Sequence, residues 1–321
     1  MSLADRDTQA EVSVLVPAKD EAENLPEFVR QCAAALASEP YACEVVIVND
    51  GSEDETGAVL ERLAGEYAFL RVVTHRACRG IADALRSAAE RASGRTFVFY
   101  PADLQFLPSE IASLVAPIRD GQADIVTGTK QGTYEKAFVS GVYNRLCRWL
   151  FGIRVTDLNA VKAYRREVAE VVPARPDWHR FMVIIGAADG FRVTERPVTL
   201  RPRLAGRSKF GLGRIPVGML DLLSVWFQLR FGRKPLLFFG LSGSMLLLLG
   251  LLTGVVAFVL RFGFGYGFRP LLYLVLVLVL GGLALFGVGF LGELLAAMRE
   301  EVRALQRAVD RLADRRGGPR P

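Results

Sequence analysis

Thiol and imidazole chemistry has little to work with in this chain. Its 321 residues include two histidines, His75 and His179, and four cysteines. Cys32, Cys43, Cys78 and Cys147 show no C-x-x-C spacing and no accompanying histidine cluster. That excludes a zinc site and leaves reduced, structural thiols. Glycine-rich phosphate loops are missing too. Neither G-x-G-x-x-G nor a P-loop occurs, and the first apolar run leads instead into Pro17-Ala18-Lys19-Asp20-Glu21-Ala22-Glu23-Asn24, acidic and free of glycine. The usual dinucleotide and P-loop sites are therefore excluded. The N-terminus, Met-Ser-Leu-Ala-Asp-Arg-Asp, lacks the apolar run of a signal peptide. No basic stripe with interleaved aromatics appears before Pro235, which argues against a nucleic-acid partner. Charge itself is absent from Pro235 to Leu260 and again from Pro270 to Gly292.

Each of these uncharged stretches exceeds the ~20 apolar residues that cross a bilayer. The short link from Arg261 to Arg269 makes them a helical hairpin. Positive residues flank the pair: Arg230, Arg233 and Lys234 before it, then Arg299, Arg303, Arg307, Arg311, Arg315 and Arg316 after it. The positive-inside rule puts both termini and the soluble domain in the cytoplasm, on the inner membrane if the cell is bacterial. The expected organisation is a soluble domain over 1–212, juxtamembrane amphipathic helices over 213–234, two spans within 235–292 (235–260 and 270–292), and an amphipathic tail over 293–321. Leu295, Met298, Val302, Leu305, Val309 and Leu312 alternate three and four apart. That pattern predicts a short coiled coil and a homo-oligomer, or a single helix lying on the membrane.

The soluble part alternates strand and helix patterns. Strands are predicted at Val12–Val16, Val45–Val48, Leu70–Thr74, from Phe97, and at Ala123–Thr127. Helices follow Asn24, follow Ser52 (whose Ser52-x-x-Glu55 spacing fits a capping box), and cover about Ile81–Ala92. The fold class is α/β with a mostly parallel, doubly wound sheet.

The chemistry is expected at Phe97-Val98-Phe99-Tyr100-Pro101-Ala102-Asp103-Leu104-Gln105-Phe106. Four β-favouring residues run straight into a turn carrying an acid and an amide. Ligands of open α/β sheets bind just beyond the carboxyl ends of the strands. There, a carboxylate and a carboxamide two residues apart suit a hard cation, Mg²⁺ or Mn²⁺, clamped to a diphosphate.

Several segments together resemble the family-2 glycosyltransferases with the GT-A nucleotide-sugar fold. Val14-Leu15-Val16-Pro17-Ala18-Lys19-Asp20-Glu21-Ala22-Glu23-Asn24 is similar to that family's opening, Val46-Ile47-Val48-Asn49-Asp50-Gly51-Ser52-Glu53-Asp54-Glu55-Thr56 to its "V-D-D-G-S-x-D-x-T", and Tyr100-Pro101-Ala102-Asp103-Leu104-Gln105 to its "D-A-D-L-Q". Trp178-His179-Arg180-Phe181 and Arg201-Pro202-Arg203-Leu204-Ala205-Gly206-Arg207-Ser208-Lys209-Phe210 resemble segments of the polyprenyl-phosphate group, which includes dolichol-phosphate mannose and glucose synthases. The resemblance covers roughly residues 11 to 292. It implies a GT-A catalytic domain, Rossmann-like, carried on a C-terminal transmembrane hairpin. It also implies that a nucleotide sugar, UDP- or GDP-linked, is held by Pro17, Asp20, Glu21, Asp50 and Asp103. Asp103 and Gln105 become the ligands of Mg²⁺ or Mn²⁺ and, with Arg203, Arg207 and Lys209, the catalytic set. Lys130, Lys136, Ser140, Arg207 and Ser208 would take the phosphate of a polyprenyl phosphate. The basic segment could equally meet anionic lipid.

The implied reaction is inverting transfer of the sugar to the lipid phosphate, an acceptor already ionised at neutral pH. Pro101 replaces the first acid of "D-A-D" and Asn49 the first of "D-D-G-S". Lysines stand at 130 and 136 where relatives carry arginine, keeping charge but losing bidentate geometry. Asp157 and Asn159 stand where relatives have an acceptor-side loop, or else cap a turn; His179 is either catalytic or a basic, packing or substrate-orienting residue beside Arg180; His75–Gly80 departs from the usual Asn/Gly-rich segment and has no assigned role. The helix after Lys136 places Phe138, Val142, Leu146, Trp149 and Leu150 on one side and Asn144, Arg145 and Arg148 outside it. That apolar side faces either core or membrane; Gly213–Phe231 is the stronger interfacial candidate. Two other functions stay open: transfer to a different membrane lipid, and an inactive nucleotide-sugar-binding scaffold.

Overall fold

A computed structural model describes residues 10–131, 137–153, 155–158, 160–172, 175, 178–202, 214–232 and 234–315. The chain forms two compact units, Met1–Leu222 and Leu223–Pro321.

The first unit is built on β1 (Val12–Ala18), β2 (Cys43–Asp50), β3 (Leu70–His75), β4 (Thr96–Phe99), β5 (Ile125–Gln131), β6 (Lys162–Arg165) and β7 (Val193–Thr199). They form one seven-stranded sheet in the order β3-β2-β1-β4-β6-β5-β7. Only β6 runs against its neighbours, β4 and β5. Helices α1 (Leu25–Ala37), α2 (Thr56–Glu66), α3 (Ile81–Arg91) and α4 (Ile111–Arg119) alternate with the strands. Near-continuous β-branched runs make β1 and β2 the buried centre, with Val12–Val16 and Val45–Asp50 all inside. Each fully buried Val, Leu or Ile there contributes roughly 1.5–3 kcal/mol.

Local expectations fail where a neighbouring segment intervenes. β1 does not stop at Pro17 but runs to Ala18. Pairing with β4 ends at Leu15↔Phe99, so the missing N–H of Pro17 falls on a side where the ladder has already finished. The capping box at Ser52 does not form. Ser52 Oγ accepts the Asp20 N–H at 2.9 Å, while Asp54 Oδ1 takes the Thr56 N–H at 3.0 Å. β6 and β7 have no counterpart among the strands the pattern predicts, and β5 extends far enough to include Lys130.

Beyond β5 lie α5 (Ala137–Phe151), α6 (Arg166–Val171), α7 (Met182–Ala188) and α8 (Arg214–Phe231). In α5 the expected faces are partly exchanged. Asn144 is 6% exposed and Cys147 is buried, whereas Trp149 stands 78% exposed.

The second unit holds α9 (Pro235–Gly263) and α10 (Arg269–Arg315), both with windows long and apolar enough to cross a membrane. They pack antiparallel, Gly292 beside Pro235 and Gly254 beside Val275. A Cβ on Gly243 would lie 2.8 Å from the Gly282 carbonyl, so small residues set the close approach. Glu293 Oε2 accepts the Leu236 N–H at 3.3 Å, capping the amino end of α9 from the other helix. α10 continues past Gly292 without a break, so the tail expected over 293–321 begins as a direct extension of the second span.

Candidate active site

Loops at the carboxyl ends of β1 and β2 close on each other. Lys19 Nζ donates to the Gly51 carbonyl at 3.0 Å, the Glu53 N–H to Asp20 Oδ1 at 2.9 Å, and the Glu21 N–H to Thr56 Oγ1 at 2.9 Å. Asp54 Oδ2 accepts the Ala22 N–H at 3.3 Å, and Asn24 Nδ2 donates to Glu21 Oε2 at 2.6 Å. Asp20 holds φ +52°, a left-handed backbone that aspartate tolerates better than most residues. The structure thus brings Pro17, Asp20 and Glu21 into one interlocked surface with the loop that follows Asp50.

Asp50 itself is buried and organises the segment after β3. Its carboxylate accepts the Arg79 N–H at 2.8 Å, the Gly80 N–H at 2.7 Å and the Cys78 thiol at 3.4 Å. His75 Nδ1 lies 2.8 Å from Oδ1, while its Nε2 lies 2.9 Å from Ser87 Oγ. Burial works to raise the Asp50 pKa, but the bonds from Arg79, His75, Gly80 and Cys78 outweigh it and hold it below the ordinary value. Gly51 makes the closure possible. At φ +63°, any Cβ would meet backbone atoms of Ala77 and Cys78 at 2.5 Å. Asp–His–Ser order is therefore present but serves to fix a loop. Nothing in the spacing of His75 and Asp50 along the chain announced it.

At the end of β4, Asp103 is 7% exposed and its Oδ1 accepts the Gln105 N–H at 3.3 Å. Leu104 between them sits at φ +55°. For a leucine that is strained backbone, worth of order 1–3 kcal/mol, and such strain gathers at functional sites. The turn is pinned from the far side: the Arg201 N–H donates to the Gln105 carbonyl at 2.8 Å and Gln105 Nε2 to the Arg201 carbonyl at 3.4 Å. One carboxylate and one amide in a single turn fit a hard cation that takes its other ligands from diphosphate and water. Among the described residues no group of three or more His, Cys, Asp or Glu could hold a metal by protein side chains alone. Arg203, Arg207, Ser208, Lys209 and Lys136 lie outside the described residues, as does the side chain of Ser140.

The other half of the edge is cationic. Lys130 Nζ lies 3.5 Å from Asp157 Oδ2. Asp157 is held by its backbone, its N–H on Glu195 Oε1 at 3.2 Å and its carbonyl accepting Thr127 Oγ1 at 3.1 Å. Lys162, 2% exposed, was missed in the sequence because a lysine beside Arg165 and Arg166 reads as surface. Antiparallel β6 pairs it with both Phe99 and Thr127, at the site's end of the sheet. Its Nζ donates to the Ala160 carbonyl at 3.0 Å and lies 5.7 Å from the Phe99 ring centre. Burial pushes its pKa down to about 7, opposed by Asp157 and assisted by Lys130 and Arg180. His179 packs edge-on to Phe99 at 6.1 Å, its Nδ1 buried without a hydrogen-bond partner among the described residues. Burial, then Lys162 and Arg180, push it down to about 3, which makes it a poor proton acceptor.

Residues 13–164 match the family described as Glycosyl transferase family 2. The chain is 31% identical over 298 residues to the dodecaprenyl-phosphate galacturonate synthase of Rhizobium johnstonii, covering 89% of this chain and 88% of that one. It is 30% identical to the undecaprenyl-phosphate 4-deoxy-4-formamido-L-arabinose transferase of Pseudomonas fluorescens, covering 92% and 87%. Among solved structures, the glucosyl-3-phosphoglycerate synthase of Mycobacterium tuberculosis, crystallised with Mn²⁺, UDP and glucosyl-3-phosphoglycerate, aligns with TM-score 0.55 at 20% identity. That alignment covers 68% of this chain and 80% of the other, and it supports the fold alone.

Proposed function

The chain belongs to glycosyl transferase family 2, and from that premise we propose that it moves a sugar from a UDP- or GDP-linked donor to a polyprenyl phosphate, with inversion, at the cytoplasmic face of a membrane. The observation that carries the acceptor is the extent of the similarity. Relatives named for polyprenyl phosphates match over about nine-tenths of the chain, well past the end of the sheet. Two helices long enough to span a bilayer suit an acceptor that never leaves one. Arginines and lysines flanking them favour cytoplasmic termini.

In this reading the donor's nucleoside lies over the interlocked loops of Pro17, Asp20, Glu21 and Asp50. Asp103 and Gln105 would hold Mg²⁺ or Mn²⁺ at the diphosphate, where a bound cation supplies stabilisation of leaving-group charge. Arg203, Arg207 and Lys209 are the proposed source of further positive charge for the diphosphate. The acceptor's phosphate oxygen attacks the anomeric carbon as the bond to the nucleoside diphosphate breaks. A single displacement inverts that centre. The attacking group is already an anion, so no general base is needed, in keeping with the low basicity of His179. Lys130, Lys136, Ser140, Arg207 and Ser208 are the proposed acceptor-phosphate ligands.

Pro101 favours one competing reading, a donor-binding scaffold without turnover. The test is direct: protein purified in detergent, undecaprenyl phosphate, a panel of UDP- and GDP-sugars, with and without Mg²⁺ or Mn²⁺. A lipid-linked monosaccharide that requires the metal and Asp103 supports the proposal. Donor binding with no product from any sugar, beside an active relative, sinks it. The exposed stripe Leu295, Met298, Val302, Leu305 and Val309 on α10 is proposed to join copies of the chain. Removal of residues 293–321 without change in oligomer mass would dispose of that part.

A further inference from the structure

Asp50 enters the donor site as a carboxylate already in use. It is buried, and an ionised carboxylate offers about four lone-pair positions and no proton. Oδ1 receives the Arg79 N–H at 2.8 Å and faces His75 Nδ1 at 2.8 Å; Oδ2 receives the Gly80 N–H at 2.7 Å and the Cys78 thiol at 3.4 Å. The carboxylate only accepts, so His75 carries a proton on Nδ1. Each oxygen thus has two donors from the 75–80 segment. A ligand gains Asp50 by replacing one of them.

These donors are not equally held. His75 is the cross-strand partner of Asp50 at the end of the β2–β3 ladder, and Ser87 Oγ of α3 lies 2.9 Å from its other ring nitrogen. Arg79 and Gly80 donate from the backbone that leads into α3, where the Gly80 carbonyl accepts the Ala84 N–H at 3.0 Å. Shifting either would disturb the first turn of that helix. The Cys78 thiol is the weakest donor of the set, makes its longest contact and belongs to an exposed side chain. Rotation about one side-chain torsion removes it and leaves the backbone untouched.

We propose that the Cys78 thiol holds a place on Asp50 Oδ2 that a hydrogen-bond donor of the incoming nucleoside, a base N–H or a ribose hydroxyl, takes over. Cys78 then tunes nucleotide affinity, while His75, Ser87 and the backbone before α3 keep the carboxylate in position. The inference rests on the nucleotide-sugar reading given above. In UDP or GDP the ionised diphosphate only accepts, so the donors belong to the base and the ribose. An N–H or O–H bound to a carboxylate makes a stronger hydrogen bond than a thiol does, which favours the exchange. No bond to sulfur forms.

The test uses the full chain in detergent, with UDP, GDP and inorganic pyrophosphate as probes in the presence of Mg²⁺. The infrared S–H stretching band that disappears in Cys78→Ala identifies the thiol. UDP or GDP should move that band to higher frequency as the thiol leaves the carboxylate, and pyrophosphate should not. Loss of the shift with nucleotides methylated at the base N–H places the base on Asp50; loss with deoxyribose analogues places the ribose there. Calorimetry gives a second reading. Cys78→Ala should bind the nucleotide that the wild type accepts about two- to tenfold more tightly. Cys78→Ser, which restores a stronger donor, should show no such tightening. A band that stays put while nucleotide binds would overturn the proposal and leave the donor reading standing. So would a shift with pyrophosphate, a shift that survives every analogue, or a constant in Cys78→Ala that is unchanged or weaker. If neither UDP nor GDP binds the wild type, the donor reading itself fails and takes this proposal with it.

Discussion

The two halves of the sheet's carboxyl edge are built on different principles. On the β1–β2–β4 side, polar groups are consumed by one another: Asp20 with Ser52 and Glu53, Asp54 with Thr56 and Ala22, Asp50 with the 75–80 segment. The outcome is a stiff surface whose acids are oriented before any ligand arrives, with Asp50 and Asp54 held, against desolvation, below the ordinary carboxylate value by the bonds they accept. On the β5–β6–β7 side, Lys130 lies 3.5 Å from Asp157 and Lys162 is buried, its pKa depressed to about 7 chiefly by desolvation. Rigidity there comes from strand pairing. In the proposed reading, the donor's diphosphate meets the first arrangement and the acceptor's phosphate the second.

The sharpest way to break the comparison is to disable the first half chemically without loosening it. Asp103→Asn should cut kcat/KM by on the order of 10²–10³-fold while the thermal midpoint moves little. A large fall in midpoint would mean that Asp103 holds the strained turn at Leu104 and does no more than that. Next in size is a mechanical break. Gly51→Ala forces a Cβ onto the backbone of Ala77 and Cys78 in a left-handed conformation. It should cost about 2–4 kcal/mol in denaturant unfolding and release the bonds to Asp50, weakening nucleotide binding as well.

The same division governs what the chain's pattern discloses. β1, β2, β3 and β4, with Asp50, Asp103 and Gln105 at their ends, are legible because each is a local apolar run stopped by a polar turn. β6 is four residues, Lys162–Arg165, flanked by charge, and only its pairing with β4 and β5 makes it a strand. Lys162 is hidden for that reason: its burial is imposed by Phe99 and Thr127, more than thirty residues away in the chain. The Ser52 capping box fails in the same way, since the hydroxyl is claimed by Asp20 across the fold. In α5, Asn144 and Cys147 turn inward and Trp149 does not, a choice that helical spacing alone does not disclose.

A third prediction sharpens the acceptor half through pH. The folded pKa of Lys162, about 7, lies below the ordinary lysine value of 10.5. Between these values the unfolded chain binds the proton more readily. Lys162 therefore subtracts stability progressively as pH falls from about 10.5 to about 7, and by a constant amount below. The stability difference between wild type and Lys162→Met should shrink as pH rises from 7 to 9.5, with the variant more stable by about 1 kcal/mol or more at pH 7. His179, depressed to about 3, acts with the same sign only below its ordinary value of 6.5 and leaves that window untouched. Parallel stability curves for the two proteins would mean that Lys162 is charged in both states.

The smallest expected effect lies at the rim of that half. Trp149 is 78% exposed on a helix that buries Asn144 and Cys147. An indole this exposed is an inefficient use of a large apolar side chain in water. At a headgroup layer it has a purpose, since tryptophan prefers the zone where one end is apolar and the other wet. Trp149→Ala should change unfolding free energy by no more than about 0.5 kcal/mol, as for a surface site. In nanodiscs it should nevertheless raise the apparent KM for the lipid acceptor a few-fold, by roughly 0.5–1 kcal/mol of lost interfacial contact, with the donor constant unchanged. Quenching by headgroup-proximal labels gives an independent reading: the Trp149→Phe protein should lose a quenchable component that Trp226→Phe retains. If the quenchable component survives Trp149→Phe, α5 faces water, and the charged half of the edge meets its acceptor without help from the helix beside it.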